Sequence, residues 1–236
     1  MCSSDLLSFG GPTGYALARF LLAAGVECVV AAPSKLVRPS GDRVKTDARD
    51  ARHLARLLHL GEIVEVTVPS LGQEAARDLV RARDDCRGDL MAAQHRLTHL
   101  LLRRGIVYYG GHPWTGDHRI WLRQQHFDRP ALQTTFDEAF DAVLVAAARR
   151  DRFDDAIAAM AADCEFTPVI TRLGCLRGIS TLTAFGMATE IGDWHRLTGR
   201  SIGNYLGLVP TEYSSGASRS QGGITRTGNT HVRRLL

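Results

Sequence analysis

At 236 residues, 44% hydrophobic and 23% charged, the chain has the length and composition of a globular protein with a real core, and no apolar run approaches the roughly 20 residues that span a bilayer. Its formal net charge of +4 leans toward an anionic partner. The five cysteines, odd in number and without a CxxC pair, exclude a disulfide scaffold and a zinc ribbon and fit a reducing compartment, so a cytoplasmic location is expected.

Residues 1–6, "MCSSDL", match none of the patterns that follow and are expected to be an assembly artefact. "GPTGYALARFLLAAG" (11–25) carries apolar residues at Tyr15, Leu17, Leu21 and Leu22 and closes on Gly25, which predicts a helix with a glycine cap. "VECVVAAP" (26–33) predicts a buried strand ending at Pro33. After a polar loop, "VKTDARDARHLARLL" (44–58) predicts a second helix reaching Gly61, and "EIVEVTVP" (62–69) alternates like another strand. Helix, strand, helix, strand indicates an α/β domain over 1–69.

From Ser70 the pattern changes. "SLGQ" reads as a capping box, and Leu79, Ala82, Cys86, Leu90, Ala93, Leu97 and Leu100 then alternate steps of three and four up to Gly105. This is a heptad seam on a helix of roughly 50 Å at about 1.5 Å per residue. A second helix from about Ala131 to Ala162 places Phe136, Phe140, Val143, Ala147, Phe153, Ile157 and Met160 on its apolar side. The two are expected to pair antiparallel as a coiled-coil hairpin over 70–165. Its tip, "GIVYYGGHPWTGDHRIWLRQQHFDRP", is rich in aromatics and cations; it reads equally as a hairpin end packed on itself and as a nucleic-acid contact through stacking and charge.

The last segment, 166–236, is expected to be small and mainly helical. "LRGISTLTAFGMATEIGD" places a glycine turn between two short helices, a geometry that can present N–H groups to a phosphate. "IGNYLGLVP" predicts a helix, and "TEYSSGASRSQGGITRTGN" a flexible basic loop. "THVRRLL" ends inside an apolar-basic helical pattern, so the chain is expected to be a fragment.

The cations are unevenly placed. From Leu90 to Gln125 Asp117 is the only acid, against Arg96, Arg103, Arg104, Arg119 and Arg123. After Glu212 there are no acids, while Arg219, Arg226, Arg233 and Arg234 follow, and Lys35 to Lys45 forms a third basic stretch. Such stretches read as patches for a polyanion or as solvated faces.

Asp47 and Asp50 stand about 60° apart around a helix and share a face. Acids in a first turn complement the macrodipole and could form a capping pair. The sharper reading makes them oxygen ligands of Mg²⁺, with Lys45, Arg49 and Arg52 facing a nucleic-acid backbone. Ser214 and Ser215 precede Gly216 in the basic loop; a serine hydroxyl is a poor nucleophile until a metal or base helps remove its proton. No GxSxG elbow or Ser-His-Asp set argues for acyl transfer.

Taken together, "GPTGYALARFLLAAGVECVVAAP", "GDRVKTDARDARHLARLL", "LRGISTLTAFGMATEIGD" and "YLGLVPTEYSSGASRSQGGITRTGNTHVRRLL" resemble, in order and spacing, the DEDD transposases of insertion-sequence family 110. The resemblance covers nearly the whole chain after about residue 9 and implies an architecture of α/β plus all-α. An N-terminal RuvC/RNase H-like domain is partial here, and long antiparallel coiled-coil helices and a small C-terminal transposase domain follow it. Of the four Mg²⁺-binding acids, the final two carry over to Asp47 and Asp50, and the nucleophilic serine to Ser215, with Ser214 the lesser choice. The resemblance implies Mg²⁺-dependent DNA strand exchange through a phosphoserine link, and a structured noncoding guide RNA that pairs with donor and target DNA. It further implies a homo-oligomer, and a bacterial cytoplasmic protein at the nucleoid when acting. Lys45, Arg49, Arg104, Arg119, Arg219, Arg226 and Arg233 are the expected nucleic-acid contacts.

The sequence departs from the family where the second acid is expected: Phe9 and Gly10 stand there, and the strand carrying the first acid is missing. This 236-residue chain is therefore expected to be catalytically incompetent alone. A non-catalytic nucleic-acid-binding protein and a RuvC-like junction nuclease using water are the competing readings.

Overall fold

The computed structural model describes residues 5–7, 14–31, 36, 46–215, 218 and 220–236. They form two compact units, Met1–Leu71 and Gly72–Leu236.

In the first unit, β1 (Asp5–Leu7) and β2 (Cys28–Val30) pair in parallel, with Asp5 opposite Cys28 and Leu7 opposite Val30. Parallel neighbours need a crossover, which α1 (Gly14–Ala23) supplies. Ala18 is fully buried, its small side chain letting the helix lie close enough for the Cys28 thiol to reach the Ala18 carbonyl at 3.6 Å. Gly25 then reverses the chain at φ +76°. Asp5 and Leu6, within the segment expected to be an artefact, take part in this pairing. The strand expected over 62–69 reduces, among the described residues, to one antiparallel bridge between Glu65 and Ala31, with Val66 N–H donating to Val30 O at 2.7 Å. Alternation over 62–69 supplied the pattern, but among the described residues the pairing extends no further than this bridge. α2 (Asp47–His59) completes the unit and buries Leu57.

In the second unit α3 (Leu71–Leu102) and α5 (Pro130–Ala162) run antiparallel: Ala76 and Val80 cluster with Ile157 and Ala161 at one end, and Leu97 and Leu100 with Phe136 and Val143 at the other. Between the ends Arg83 grips Asp154 through Nε and Nη2 at 2.7 and 3.3 Å, and the Cys86 thiol lies 3.6 Å from Ala146 O. Cys86, Leu90, Ala93, Leu97 and Leu100 are buried as the heptad predicts, but near the start of α3 burial passes from Leu79 and Ala82 to Ala76 and Val80. The cause is a third partner. α6 (Thr167–Gly174) and α7 (Thr181–Ile191) join that end, so Phe166, Ile170, Ala184 and Phe185 enter the same core.

At the opposite end, α4 (Gly116–Arg123) is capped by Thr115 and buries Leu122 completely. Tyr108, Trp114 and Trp121 surround His118, whose ring stacks on Trp121 at 5.5 Å and is 6% exposed. Trp114, held at φ +66°, donates its backbone N–H to His118 Nδ1 at 3.0 Å, which requires an unprotonated Nδ1. Burial lowers the His118 pKa from its ordinary 6.5. A His with a lowered folded pKa stabilises most above its unfolded value, and that stabilisation is lost as pH falls toward the folded one. Near-UV circular dichroism from the tip tryptophans is therefore expected to fade reversibly as the pH falls below the ordinary histidine value of 6.5, while a His118→Gln protein shows no such titration.

α8 (Ser201–Leu206) ends at Gly207, and the segment expected to be a flexible loop instead forms an antiparallel ribbon, β3 (Pro210–Glu212) with β4 (Gln221–Ile224). Neither strand has a buried face, so no hydrophobic alternation announced it. α9 (Thr230–Leu235) follows, capped by Asn229 and anchored by the fully buried Val232.

Candidate active site

The side chains singled out by sequence fall in separate units. Asp47 and Asp50 lie in the first turn of α2, both exposed. The cap is Thr46: its backbone is extended at φ −138° and its hydroxyl accepts the Arg49 N–H at 3.4 Å. Capping therefore does not occupy the two carboxylates, and among the described residues neither has an ion pair or a side-chain hydrogen bond. Two unengaged oxygen donors on one helical face fit Mg²⁺, which commonly takes one or two protein carboxylates and fills its octahedron with water and substrate phosphate. Among the described residues no group of three or more His, Cys, Asp or Glu forms a metal cluster. Arg49 is exposed beside the pair; Lys45 lies outside the described residues.

In the second unit the ribbon continues past β3 and β4. Tyr213 N–H donates to Ser220 O at 2.9 Å, and Ser215 and Ser218 exchange two backbone hydrogen bonds of 3.1 Å each. Ser215 is thus the last paired position before residues 216 and 217, which lie outside the described residues, as does Arg219. The two candidate serines are inequivalent. Ser214 donates its hydroxyl to Glu212 Oε1 at 2.7 Å, an i, i+2 contact on one face of the ribbon. Ser215, exposed and on the alternate position, has no side-chain hydrogen bond among the described residues. Glu212 was not anticipated from sequence, although a glutamate two residues before a serine in an extended segment is a readable signal.

The cations divide as well. Arg104 and Arg119 are exposed at the helical tip, whose Tyr109 is 89% exposed. Arg226 is exposed where the ribbon returns, with an unusual φ of +55°. Arg233 is engaged internally: its Nη1 donates to Leu206 O at 2.9 Å and Thr227 O at 3.0 Å. Arg234 pairs with Asp84.

Both sets of residues lie in segments that match known families. Residues 7–104, which include Asp47 and Asp50, match a transposase profile of the DEDD type of IS110, and residues 171–236, which include Ser215, match the transposase IS116/IS110/IS902 family. The chain belongs to the IS110 family of DEDD transposases. It is 41% identical over 227 residues to a putative transposase, y4qE, of Sinorhizobium fredii, covering 96% of the chain and 55% of that protein. It is 37% identical over 186 residues to the transposase for insertion sequence element IS1533 of Leptospira borgpetersenii, covering 78% of the chain and 54% of that protein. The chain spans about half the length of these IS110-family relatives. Among the described residues no helix is long and apolar enough to cross a membrane.

Proposed function

We propose that the chain acts in DNA strand exchange, with Ser215 as the nucleophile and Asp47 and Asp50 as Mg²⁺ ligands. The observation that carries this reading is the contrast at the ribbon tip: the Ser214 hydroxyl is taken by Glu212, and the Ser215 hydroxyl is presented without a partner among the described residues.

Ser215 Oγ attacks a DNA phosphorus, forming an Oγ–P bond as the bond to the departing nucleoside oxygen breaks; the serine proton is lost and the departing oxygen gains one. The phosphoserine link conserves the phosphodiester, so a second strand end can attack it and restore the serine without nucleotide hydrolysis. Bound Mg²⁺ supplies charge neutralisation at the phosphate and assists ionisation of the hydroxyl. Asp47 and Asp50 hold their two carboxylates on one rigid helical surface. In this reading the first unit is part of a RuvC/RNase H-like domain, and α3 with α5 a coiled coil. The protein acts as a homo-oligomer on donor and target DNA, in the cytoplasm at the nucleoid. A structured noncoding RNA carries the base-order information that phosphate-binding arginines do not report.

A full-length family member carrying this chain's sequence provides the test. Incubated with Mg²⁺ and element-end DNA and then digested, it is expected to give a nucleotide-linked peptide whose modified residue is Ser215. No adduct, or an adduct at another residue, overturns the reading. For the basic patch, Arg226→Ala is expected to weaken DNA binding by a similar factor on every sequence and to lower the slope of log affinity against log salt by about 0.9, one phosphate contact on duplex DNA. Salt titration on two unrelated duplexes measures both.

A further inference from the structure

We propose that Glu190 is a positioning residue for the serine ribbon, acting through Asn229; the inference rests on the reading of Ser215 as the nucleophile. The ribbon buries neither face, and a two-stranded hairpin alone is marginal in water, so packing does not set where Ser215 points. Its orientation is fixed at its base. Thr225 N–H donates to Val209 O at 2.9 Å and Arg226 N–H to Gly207 O at 3.0 Å, tying the departing segment to the entering one. From there the chain reaches Asn229, whose side chain has two jobs. Its Oδ1 accepts the His231 and Val232 N–H groups at 2.9 and 3.1 Å, capping α9, and its Nδ2 donates to Glu190 Oε2 at 3.0 Å.

Glu190 is 2% exposed, on the buried face of α7. Arg81 of α3 holds its carboxylate through Nε at 2.9 Å and Nη2 at 3.1 Å. Arg77 binds the Glu190 and Thr189 carbonyls at 2.9 Å each, and Gln73 binds the Thr189 carbonyl at 2.9 Å. A continuous set of directional bonds therefore runs from the long helix through Glu190 to the base of the ribbon. An apolar residue of similar size often matches a buried ion pair in stability but offers no directional bond to Asn229. What the carboxylate adds is a fixed position for the segment that returns from Ser215.

Two replacements at Asn229 separate this role from general stability. Asn229→Ser keeps a good cap and removes the donor to Glu190. Asn229→Asp keeps the cap acceptor and sets a second carboxylate against Glu190. The charged groups facing Glu190 are Arg77 and Arg81 from α3; on α9, His231 lies beside Asn229, with Nδ1 3.5 Å from Arg234 Nη2, and Arg234 pairs with Asp84. His231 and Arg234 are the same in both variants, which differ only in the side chain at 229.

Hydrogen exchange on the 236-residue chain reads the result. At about pH 7.5 both variants are expected to lose at least roughly tenfold in protection at the Tyr213, Ser215, Ser218 and Thr225 amides while α7 amides keep theirs. As the pH is lowered far enough for the two adjacent carboxylates to share a proton, Asn229→Asp regains protection and Asn229→Ser does not. Unchanged ribbon amides, or equal losses throughout α7, overturn the proposal. In the full-length family member, Asn229→Ser is expected to slow adduct formation at saturating DNA about tenfold or more with DNA affinity unchanged. If Ser215→Ala still yields the adduct, the serine reading fails and with it the positioning of a nucleophile, although the exchange result stands. If Ser215→Ala abolishes the adduct while Asn229→Ser leaves rate and protection unaltered, only the Glu190 proposal falls.

Discussion

Ser215→Ala in a full-length family member carrying this chain's sequence is expected to lower strand exchange by more than about 10³-fold, since removing a covalent nucleophile leaves no route to the intermediate. Ser214→Ala is expected to retain most activity. The physical basis is the alternation of the extended chain: Ser214 shares a face with Glu212 and is hydrogen-bonded to it at 2.7 Å, whereas Ser215 occupies the neighbouring position at the tip. Both serines are exposed, so losing either hydroxyl should change stability by less than about 0.5 kcal/mol, and unfolding cannot account for an activity difference. Single-turnover strand transfer and gel detection of the covalent adduct measure the contrast. A protein using water as nucleophile would survive Ser215→Ala and fail with Asp47→Asn; a non-catalytic binder would be indifferent to both and respond to arginine changes alone. Ser214→Ala as the inactive variant, with Ser215→Ala active, would reverse the assignment and make Glu212 the group that orients the nucleophile.

The sequence exposes these features unequally, and the reasons are physical. α3 and α5 are legible because a heptad pattern sustained over thirty or so residues admits few alternatives to a long paired helix. The same pattern misplaces the seam near Leu79 because periodicity describes one interface, whereas Ala76 and Val80 answer to α6 and α7 as well. At the β3–β4 ribbon the signal is absent at source: with both faces in water, selection for alternating hydrophobicity has nothing to act on. Residues 62–69 err in the other direction, alternating well but pairing, among the described residues, only through the Ala31–Glu65 bridge.

At the site, the spacing of Asp47 and Asp50 placed both acids on one face but left their role divided between cap and ligand. Thr46, the residue before them, takes the cap, and Ser, Thr, Asp or Asn ahead of a helical pattern is a cue that can be read directly. Asn229 carries the same cue, as the polar residue before "THVRRLL". Glu190 could have been found differently, as the lone charge in the otherwise uncharged 181–191, where burial demands a partner. The identity of that partner could not, since Arg81 and Asn229 are distant in sequence and meet Glu190 only once α3, α7 and α9 pack.

The largest stability loss is expected at the crossing of Gly207 and Gly228. A Cβ on Gly207 would stand 1.9 Å from Thr227 O and 2.5 Å from Thr227 N, and one on Gly228 would stand 1.9 Å from Tyr205 O. These neighbours are backbone atoms and cannot rotate away. Both glycines also have positive φ, +66° and +85°. Gly207→Ala must therefore part the two segments, breaking the Arg226 N–H bond to Gly207 and the Arg233 bonds to Leu206 and Thr227. Because α9 follows directly and buries Val232 completely, the displacement reaches the core. The expected cost is about 3 kcal/mol or more, a fall of roughly 6–12 °C in Tm for a unit of this size. Gly105→Ala is the matched control: its φ is +71° with no atom within 4 Å, so it carries the backbone strain without the collision and should cost about 1 kcal/mol. The double variant Gly207→Ala/Gly228→Ala should cost less than the sum of its parts, because the first substitution already opens the space the second requires. Urea unfolding of the unaltered protein, the three single variants (Gly207→Ala, Gly228→Ala and Gly105→Ala) and the double variant decides the matter: equal costs at Gly207 and Gly105 would mean that the crossing is loose, and additive costs at Gly207 and Gly228 would mean that they are separate sites.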